Sequence, residues 1–259
     1  MSWRTVGGSV AGSSHRASGT PCQDAWAVRN LGGAPCGPVV AMVVADGAGS
    51  AARGGEGAAL AVRAAVAHAE DALATGRWHG EETIRACFMV ARTQLMAEAI
   101  TRGCSLGDFA CTLLMAVLGR QMTLLAQIGD GAMVVASHHD ETLFVPITPM
   151  TGEYANVTRF LTDDDAMAIM EVRSFPEPAL RAALLTDGLQ RLALRWGDEV
   201  GHAPFFRPFF DVLQHAGEGQ EASLGEAMAT FLESPGVRER TDDDTTLVCA
   251  LWVGPAPDV

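Results

Sequence analysis

The feature that most constrains this chain is a set of apolar runs of strand length that do not alternate. Residues 39–45, 110–118, 122–128, 132–136, 142–147, 182–186 and 246–253 are close to continuously apolar. A strand with one wet face alternates polar and apolar residues, whereas a strand covered on both faces reads as an unbroken apolar run. A short apolar run alone also fits a buried helix segment, so the punctuation between runs has to decide. From 110 to 147 the runs follow closely, broken by Gly119-Arg120 and Gly129-Asp130-Gly131, which predicts an antiparallel meander.

Helical patterns separate the first run from that meander. Over 56–75, Leu60, Val62, Val66, Ala69 and Leu73 form an apolar stripe in an Ala-rich segment. Over 81–102, Ile84, Phe88, Ala91, Leu95 and Ala99 recur at spacings of 4, 3, 4 and 4, the helical period. Glu81 and Glu82 suit the positive end of that helix's dipole. A further helix is predicted over 223–232. Long helices set between antiparallel strands predict helices packed on a two-sheet sandwich, an α+β layering. With no tandem repeat and no low-complexity linker, the expectation is one domain over 1–259, its core about 5–254. A chain this long buries about 70–75% of its unfolded surface and needs no disulfide or structural metal to fold.

Three of the runs end in Asp-Gly: Asp46-Gly47, Asp130-Gly131 and Asp187-Gly188. Asp242-Asp243-Asp244 opens the last run, and Asp24 follows a Gly/Ser/Pro-rich loop. One Asp-Gly after a strand is an ordinary turn signal, because Gly accepts positive φ and Asp bonds to nearby amides. The whole set asks for more. Consecutive acids opening a buried strand repel one another unless a cation neutralises them. Carboxylates at strand ends can converge on one cleft, where hard ions such as Mg²⁺ or Mn²⁺ take carboxylate, carbonyl and water oxygens. Two such ions can activate a water and clamp a phosphoryl oxygen during in-line displacement.

Composition removes competing chemistries. All 18 basic residues are arginine, and without lysine there is no Walker A loop, no kinase strand lysine and no Schiff base. Arginine in place of lysine throughout is what GC-rich bacterial codon usage produces. A net charge of −13 argues against nonspecific binding to nucleic acid or a membrane surface and suits the concentration of divalent cations. The six cysteines form no CxxC pair or zinc-like spacing, and Cys87, Cys111 and Cys249 sit in apolar runs as small core residues. The first residues lack a signal peptide's apolar stretch, and no run reaches the ~20 residues of a membrane span. The expectation is a cytoplasmic protein in a reducing compartment.

Six segments then stop being generic. In chain order, residues 12–25 (GSSHRASGTPCQDA), 44–58 (VADGAGSAARGGEGA), 110–117 (ACTLLMAV), 128–132 (IGDGA), 185–189 (LTDGL) and 243–248 (DDTTLV) resemble the metal-dependent serine/threonine phosphatases of the protein phosphatase 2C family, in its compact bacterial form. The resemblance spans nearly the whole chain. It implies a four-layer αββα sandwich, two antiparallel β-sheets flanked by helices, with a metal cleft at one end. It also implies roles. Asp46 bridges two ions, and the Gly47 carbonyl binds the second. Asp187 and Asp243 hold the first ion, Asp24 binds metal directly or through coordinated water, and Asp130 is linked to a weaker third. Arg16, or His15 with it, is the candidate phosphate contact, since a guanidinium fork suits a phosphate. The implied partners are a phosphorylated protein substrate and a cognate Ser/Thr kinase, for a monomer.

The chain departs from the family pattern at three places. Gln23 stands where Glu is frequent and offers only a neutral oxygen. Gly19 stands where many members carry a phosphate-contacting Arg. Gly131 and Ala132 replace the Ser-Arg of the third-metal motif. Elsewhere, Asp163-Asp164-Asp165 read as solvated loop acids where the family carries a mobile flap. His138-His139 read as a hairpin tip and His68 as a structural helix residue. The run Phe205-Phe206-Arg207-Pro208-Phe209-Phe210 reads as core packing, with an exposed partner surface as its alternative.

The expected activity is Mg²⁺- or Mn²⁺-dependent hydrolysis of phosphoserine and phosphothreonine in proteins, by an activated water and with no phosphoenzyme. Two other readings stand beside it. One is a pseudophosphatase that keeps the fold as a binding module, motivated by Gln23 and Gly19. The other is a metal phosphohydrolase acting on a small molecule. The haloacid-dehalogenase type is excluded, because VVADGAG lacks its paired-aspartate nucleophile pattern.

Overall fold

The computed structural model describes residues 2–31, 37–120, 122–137, 142–150, 158–175, 178–195, 200–217 and 219–254. Cys36, His138 and His139 lie outside these described residues. The chain runs through β1 (Ser2–Val10), α1 (Ser13–Ser18), β2 (Ala25–Asn30), β3 (Val40–Ala45), α2 (Gly54–Ala74) and α3 (Glu81–Arg102). It continues through β4 (Leu113–Gly119), β5 (Met122–Ile128), β6 (Ala132–Ser137), α4 (Ala166–Ile169), β7 (Glu171–Phe175) and β8 (Ala179–Leu185). Then come α5 (Gln190–Ala193), β9 (Leu194–Arg195), β10 (Val200–Gly201), α6 (Ala203–His215), α7 (Glu221–Leu232), α8 (Pro235–Arg238) and β11 (Thr245–Val253).

The unbroken apolar runs have a direct explanation in β3. Val40, Met42 and Val44 enter a core between the two sheets, while Ala41, Val43 and Ala45 face a second core under α2 and α3. Both faces of the strand are dry, so the period of two leaves no polar trace. One sheet has the order β1-β11-β8-β6 and the other β2-β3-β4-β5-β7, with every pairing antiparallel. The central core joins Val44, Leu114 and Leu125 of one sheet to Met133, Leu184 and Val248 of the other. A third core lies where Phe206, Phe210 and Leu213 of α6 and Met228 of α7 cover the outer face of the first sheet. The result is the expected four-layer α+β sandwich. Among the described residues no helix is long and apolar enough to cross a membrane.

Two expectations need correction. The 110–147 meander stops after β5: β4 pairs with β5, but β6 pairs with β8 in the opposite sheet. Gly129 makes the crossing, with φ at 115° and no room for a Cβ, which would meet the Thr112 side chain at 2.5 Å. The run 142–147 forms no strand among the described residues. Only Phe144 bridges, to Val135 and Val200, and Pro146 removes the donor a longer ladder needs. The aromatic run is helical within α6 despite Pro208, because Phe206, Phe210 and Leu213 recur at helical spacing and are buried. Its reading as core packing stands.

Candidate active site

Strand register brings the acids to one end of the sandwich. Ala25 is opposite Ala45, so Asp24, entering β2, is level with Asp46, leaving β3. Val44 pairs with Leu114, and Leu113 with Ile128, which carries the same level to the end of β5 and Asp130. In the other sheet Leu185 lies between Leu247 and Ala132, which aligns Asp187 after β8 with the acids opening β11 and with the entry to β6. Within each sheet the acids thus share one end, and the charges that Asp24, Asp187 and Asp243 exert on Asp46 bring the two ends together.

Electrostatics show how close the carboxyls come. The Asp46 carboxyl is a near neighbour of both Asp24 and Asp187. Its pKa is driven well above the ordinary range by burial first, then by the charges of Asp24, Asp187 and Asp243. Burial likewise lifts Asp24 to about 7, against the opposing pull of hydroxyl bonds from Thr246 and Thr186. Asp187 rises to about 6 through burial and the charges of Asp130 and Asp243. Asp130 rises through burial, partly offset by its bond from Thr158. Asp243 is exposed at the rim.

Asp24 Oδ1 and Asp187 Oδ1 are shielded from solvent and accept no hydrogen bond, and so is Gln23 Oε1. Ionised carboxylates facing one another have no proton to share, so only protonation or a cation can satisfy these oxygens. The donor set is carboxylate, amide and carbonyl oxygen, which suits a hard divalent ion rather than zinc or copper. Among the described residues no group of three or more His, Cys, Asp or Glu side chains is already set as a metal cage.

A polar scaffold fixes the backbone beneath the acids, and most of it was not legible as part of a site. Asp24 Oδ2 accepts from Thr186 Oγ1 at 2.9 Å and Thr246 Oγ1 at 2.6 Å. Thr112 receives the Asp46 amide on its hydroxyl at 2.9 Å and returns its own amide to the Asp46 carbonyl at 2.8 Å. Gln127 Nε2 donates to the carbonyls of Gly129 and Gly131, and Gln190 Nε2 to that of Asp130. Buried Asp244 is the main strut: it accepts the amides of Gly12 at 2.7 Å and Gln23 at 2.6 Å. Thr112 and Gln127 interrupt apolar runs, and Thr186 and Asp244 adjoin acids, which is the signal that was available; Thr246 and Gln190 carried none. Glycine at 47 and 188 lets the loops close, since a Cβ would meet backbone of Gly54 at 2.3 Å and of Asp244 at 2.1 Å.

The basic candidates lie to one side. His15 Nδ1 stands 2.9 Å from Asp244 Oδ1, outside the directions of a hydrogen bond. Arg16 Nε donates to the Ala11 carbonyl at 2.8 Å and Nη2 to Glu233 Oε1 at 3.3 Å. Among the described residues neither side chain has a contact with Asp24, Asp46, Asp130, Asp187 or Asp243. Asp163 and Asp165 pair with Arg159 in an exposed loop, as solvated acids do, and His68 is half-buried on α2. The thiols of Cys22 and Cys111, nearest the acids, are pushed far up in pKa by burial and by neighbouring aspartates.

Residues 11–233 match the model of the family described as Protein phosphatase 2C. The chain is 45% identical over 254 residues to Serine/threonine-protein phosphatase 3 of Escherichia coli (strain K12), covering 97% of this chain and 99% of that protein. Its fold resembles the Mycobacterium tuberculosis serine/threonine phosphatase PstP/Ppp, with a TM-score of 0.66 at 17% identity over 97% of this chain and 99% of that one. The catalytic domain of PstP in complex with two manganese ions gives a TM-score of 0.62 at 19% identity, over 97% and 99%.

Proposed function

This chain belongs to the protein phosphatase 2C family and is a metal-dependent serine/threonine phosphatase, and from that footing we propose how its residues divide the work. Asp46, set between Asp24 and Asp187, would bridge two divalent ions, Mg²⁺ or Mn²⁺. Asp187 and Asp243 would complete one site. The Gly47 carbonyl, with Asp24 directly or through water, would complete the other, and Asp130 would serve a weaker third. Such ions supply Lewis acidity, bringing the pKa of water toward neutrality and stabilising charge on phosphoryl oxygens.

The remaining work belongs to the chain. Thr186 and Thr246 favour the ionised form of Asp24 by donating to Oδ2, against the effect of burial. Thr112 fixes the Asp46 peptide and so the point from which its carboxylate projects. Cys22 and Cys111 stay protonated, so neither thiol competes as a nucleophile, in keeping with direct attack by water. Arg16 would orient the phosphate after leaving Glu233, an exposed pair worth at most about 1 kcal/mol. The substrate is a phosphoserine or phosphothreonine in a protein, supplied by a Ser/Thr kinase. The described cysteines are all free thiols, which supports a cytoplasmic setting, and a monomer is proposed.

The observation that carries this reading is the Asp46 carboxyl crowded by three other acids. The test is hydrolysis of a phosphopeptide with manganese, repeated with EDTA and beside nucleotide and sugar-phosphate substrates. Chelator-sensitive turnover with preference for the peptide is expected. No turnover would leave a binding module, and preference for small phosphates would leave a small-molecule phosphohydrolase.

A further inference from the structure

Outside the acid cleft, one cavity of about 590 Å³ is lined by Arg191, Arg195, Arg240 and His202 over an apolar floor that includes Phe205 and Phe231. Several arginines elsewhere in the chain hold carboxylates. Arg16 and Arg238 both reach Glu233, and Arg159, Arg102 and Arg53 each hold a carboxylate. Within the cavity, Arg195 Nε meets only His202 Nδ1 at 3.5 Å, and Arg240 Nη1 donates only to the Gly236 carbonyl at 2.5 Å. Among the described residues none of Arg191, Arg195 and Arg240 has a carboxylate partner, and the lining contains no acid. In a chain with 31 acidic and 18 basic residues, three guanidiniums around one cavity with no carboxylate partner among the described residues gather positive charge there.

The cavity also has a fixed place. Arg191 follows Asp187 by four residues, through the turn Asp187–Leu189 and the start of α5. Helical rise sets their backbones about 6–8 Å apart along the axis. Gln190, the residue before Arg191, donates to the Asp130 carbonyl. The chain thus passes from the acid cleft at Asp187 into the lining of the cavity at Arg191.

We infer that this arginine-lined cavity is a second anion site, which takes the phosphoryl dianion of a phosphorylated residue flanking the one being hydrolysed. The inference rests on the phosphoprotein reading above. Guanidinium forks bind phosphate bidentately, and the apolar floor lowers the local dielectric and strengthens the contact. An extended peptide advances ~3.3 Å per residue, so the second phosphate would lie two to four residues from the first. A substrate of that kind is polyanionic and approaches a protein of net charge −13, so local positive charge is what its docking needs.

The test compares a singly phosphorylated peptide with the same peptide carrying a second phosphoserine three residues away, using the manganese-loaded wild type and the double variant Arg191→Gln/Arg240→Gln. The expected wild-type result is a KM at least tenfold lower for the doubly phosphorylated peptide. In the variant that preference disappears, while kcat/KM on the singly phosphorylated peptide and on p-nitrophenyl phosphate is unchanged. Equal KM values in the wild type, or a preference that survives in the variant, would overturn the inference. If the wild type turns over no peptide at all, the phosphatase reading fails separately. Calorimetric titration with the doubly phosphorylated peptide then decides: binding lost in the variant supports the site, and equal binding overturns it. Inorganic phosphate added to the singly phosphorylated reaction identifies the free anion. A change in rate in the wild type alone would reassign the cavity to free phosphate and overturn the inference as stated.

Discussion

Thr246 Oγ1 donates to Asp24 Oδ2 at 2.6 Å, joining the last strand to the first acid of the site across 222 residues of chain. The same hydroxyl lies 2.5 Å from Ser9 Oγ, so its proton is directed at the carboxylate. This bond opposes the rise in the Asp24 pKa that burial causes. Thr246→Val keeps the shape and removes the donor. Asp24 then ionises at higher pH, and ion binding, which requires the ionised form, weakens. A bond to a charged group is worth about 1.5–3 kcal/mol, so apparent manganese affinity at pH 7 should fall about tenfold or more, with a smaller loss at pH 8.5. Calorimetric titration at the two pH values checks this.

Asp244 holds the loop that carries Arg16 and Asp24. Its two oxygens take the amides of Gly12 and Gln23, and its own amide donates to Asp243 Oδ1 at 2.8 Å. Asp244→Ala leaves two buried donors unsatisfied, at about 1–3 kcal/mol each. The variant should unfold at clearly lower denaturant than wild type, while Asp244→Asn, which keeps one acceptor, should fall between them. Urea titration followed by circular dichroism measures the order.

Removal of metal should invert the usual dependence of stability on pH. Asp24 and Asp187 are raised in the folded state, to about 7 and about 6, from an ordinary 3.8. The native state therefore holds protons that the unfolded chain releases, and this contribution to stability falls as pH rises from about 4 to about 7. In EDTA the melting temperature should be higher at pH 5.5 than at pH 7.5. Manganese should add more to it at pH 7.5, because the acids it needs are then ionised. Thermal melts at both pH values, with and without the ion, test the sign.

Arg16 reaches solvent beside the cleft with only Glu233 and a carbonyl to hold it. If it leaves Glu233 to orient phosphate, Arg16→Ala should raise KM for a phosphopeptide about tenfold or more with a smaller effect on kcat. Glu233→Gln should leave KM unchanged or lower it. Steady-state kinetics on both variants separates a phosphate contact from a surface ion pair.

The layering was legible because burial on both faces of β3, β4 and β11 leaves a continuous apolar run, and because α2 and α3 keep a helical stripe. Asp46, Asp130, Asp187 and Asp243 were legible because each stands at an end of such a run, where a carboxylate has no packing role, and Asp24 because it closes a Gly/Ser/Pro-rich loop. What stayed hidden is long-range. Nothing local shows that Gly129 carries the chain from one sheet to the other, that Asp244 rather than Asp243 is the buried member of its triplet, or that Arg16 lies against Glu233, 217 residues away. The edge strands β1 and β7 escaped because an edge needs no continuous apolar run, and α6 because Pro208 and clustered aromatics mask its period.

The most direct test is Asp46→Asn, which removes the charge shared among Asp24, Asp187 and Asp243 and leaves the side chain's shape in place. Manganese-dependent hydrolysis of p-nitrophenyl phosphate should then lose several orders of magnitude in kcat, because no other carboxylate lies between the two flanking acids. The folded state should be at least as stable as wild type without metal, since burial no longer opposes a charge. A folded Asp46→Asn protein with near-normal manganese-dependent turnover would contradict the account.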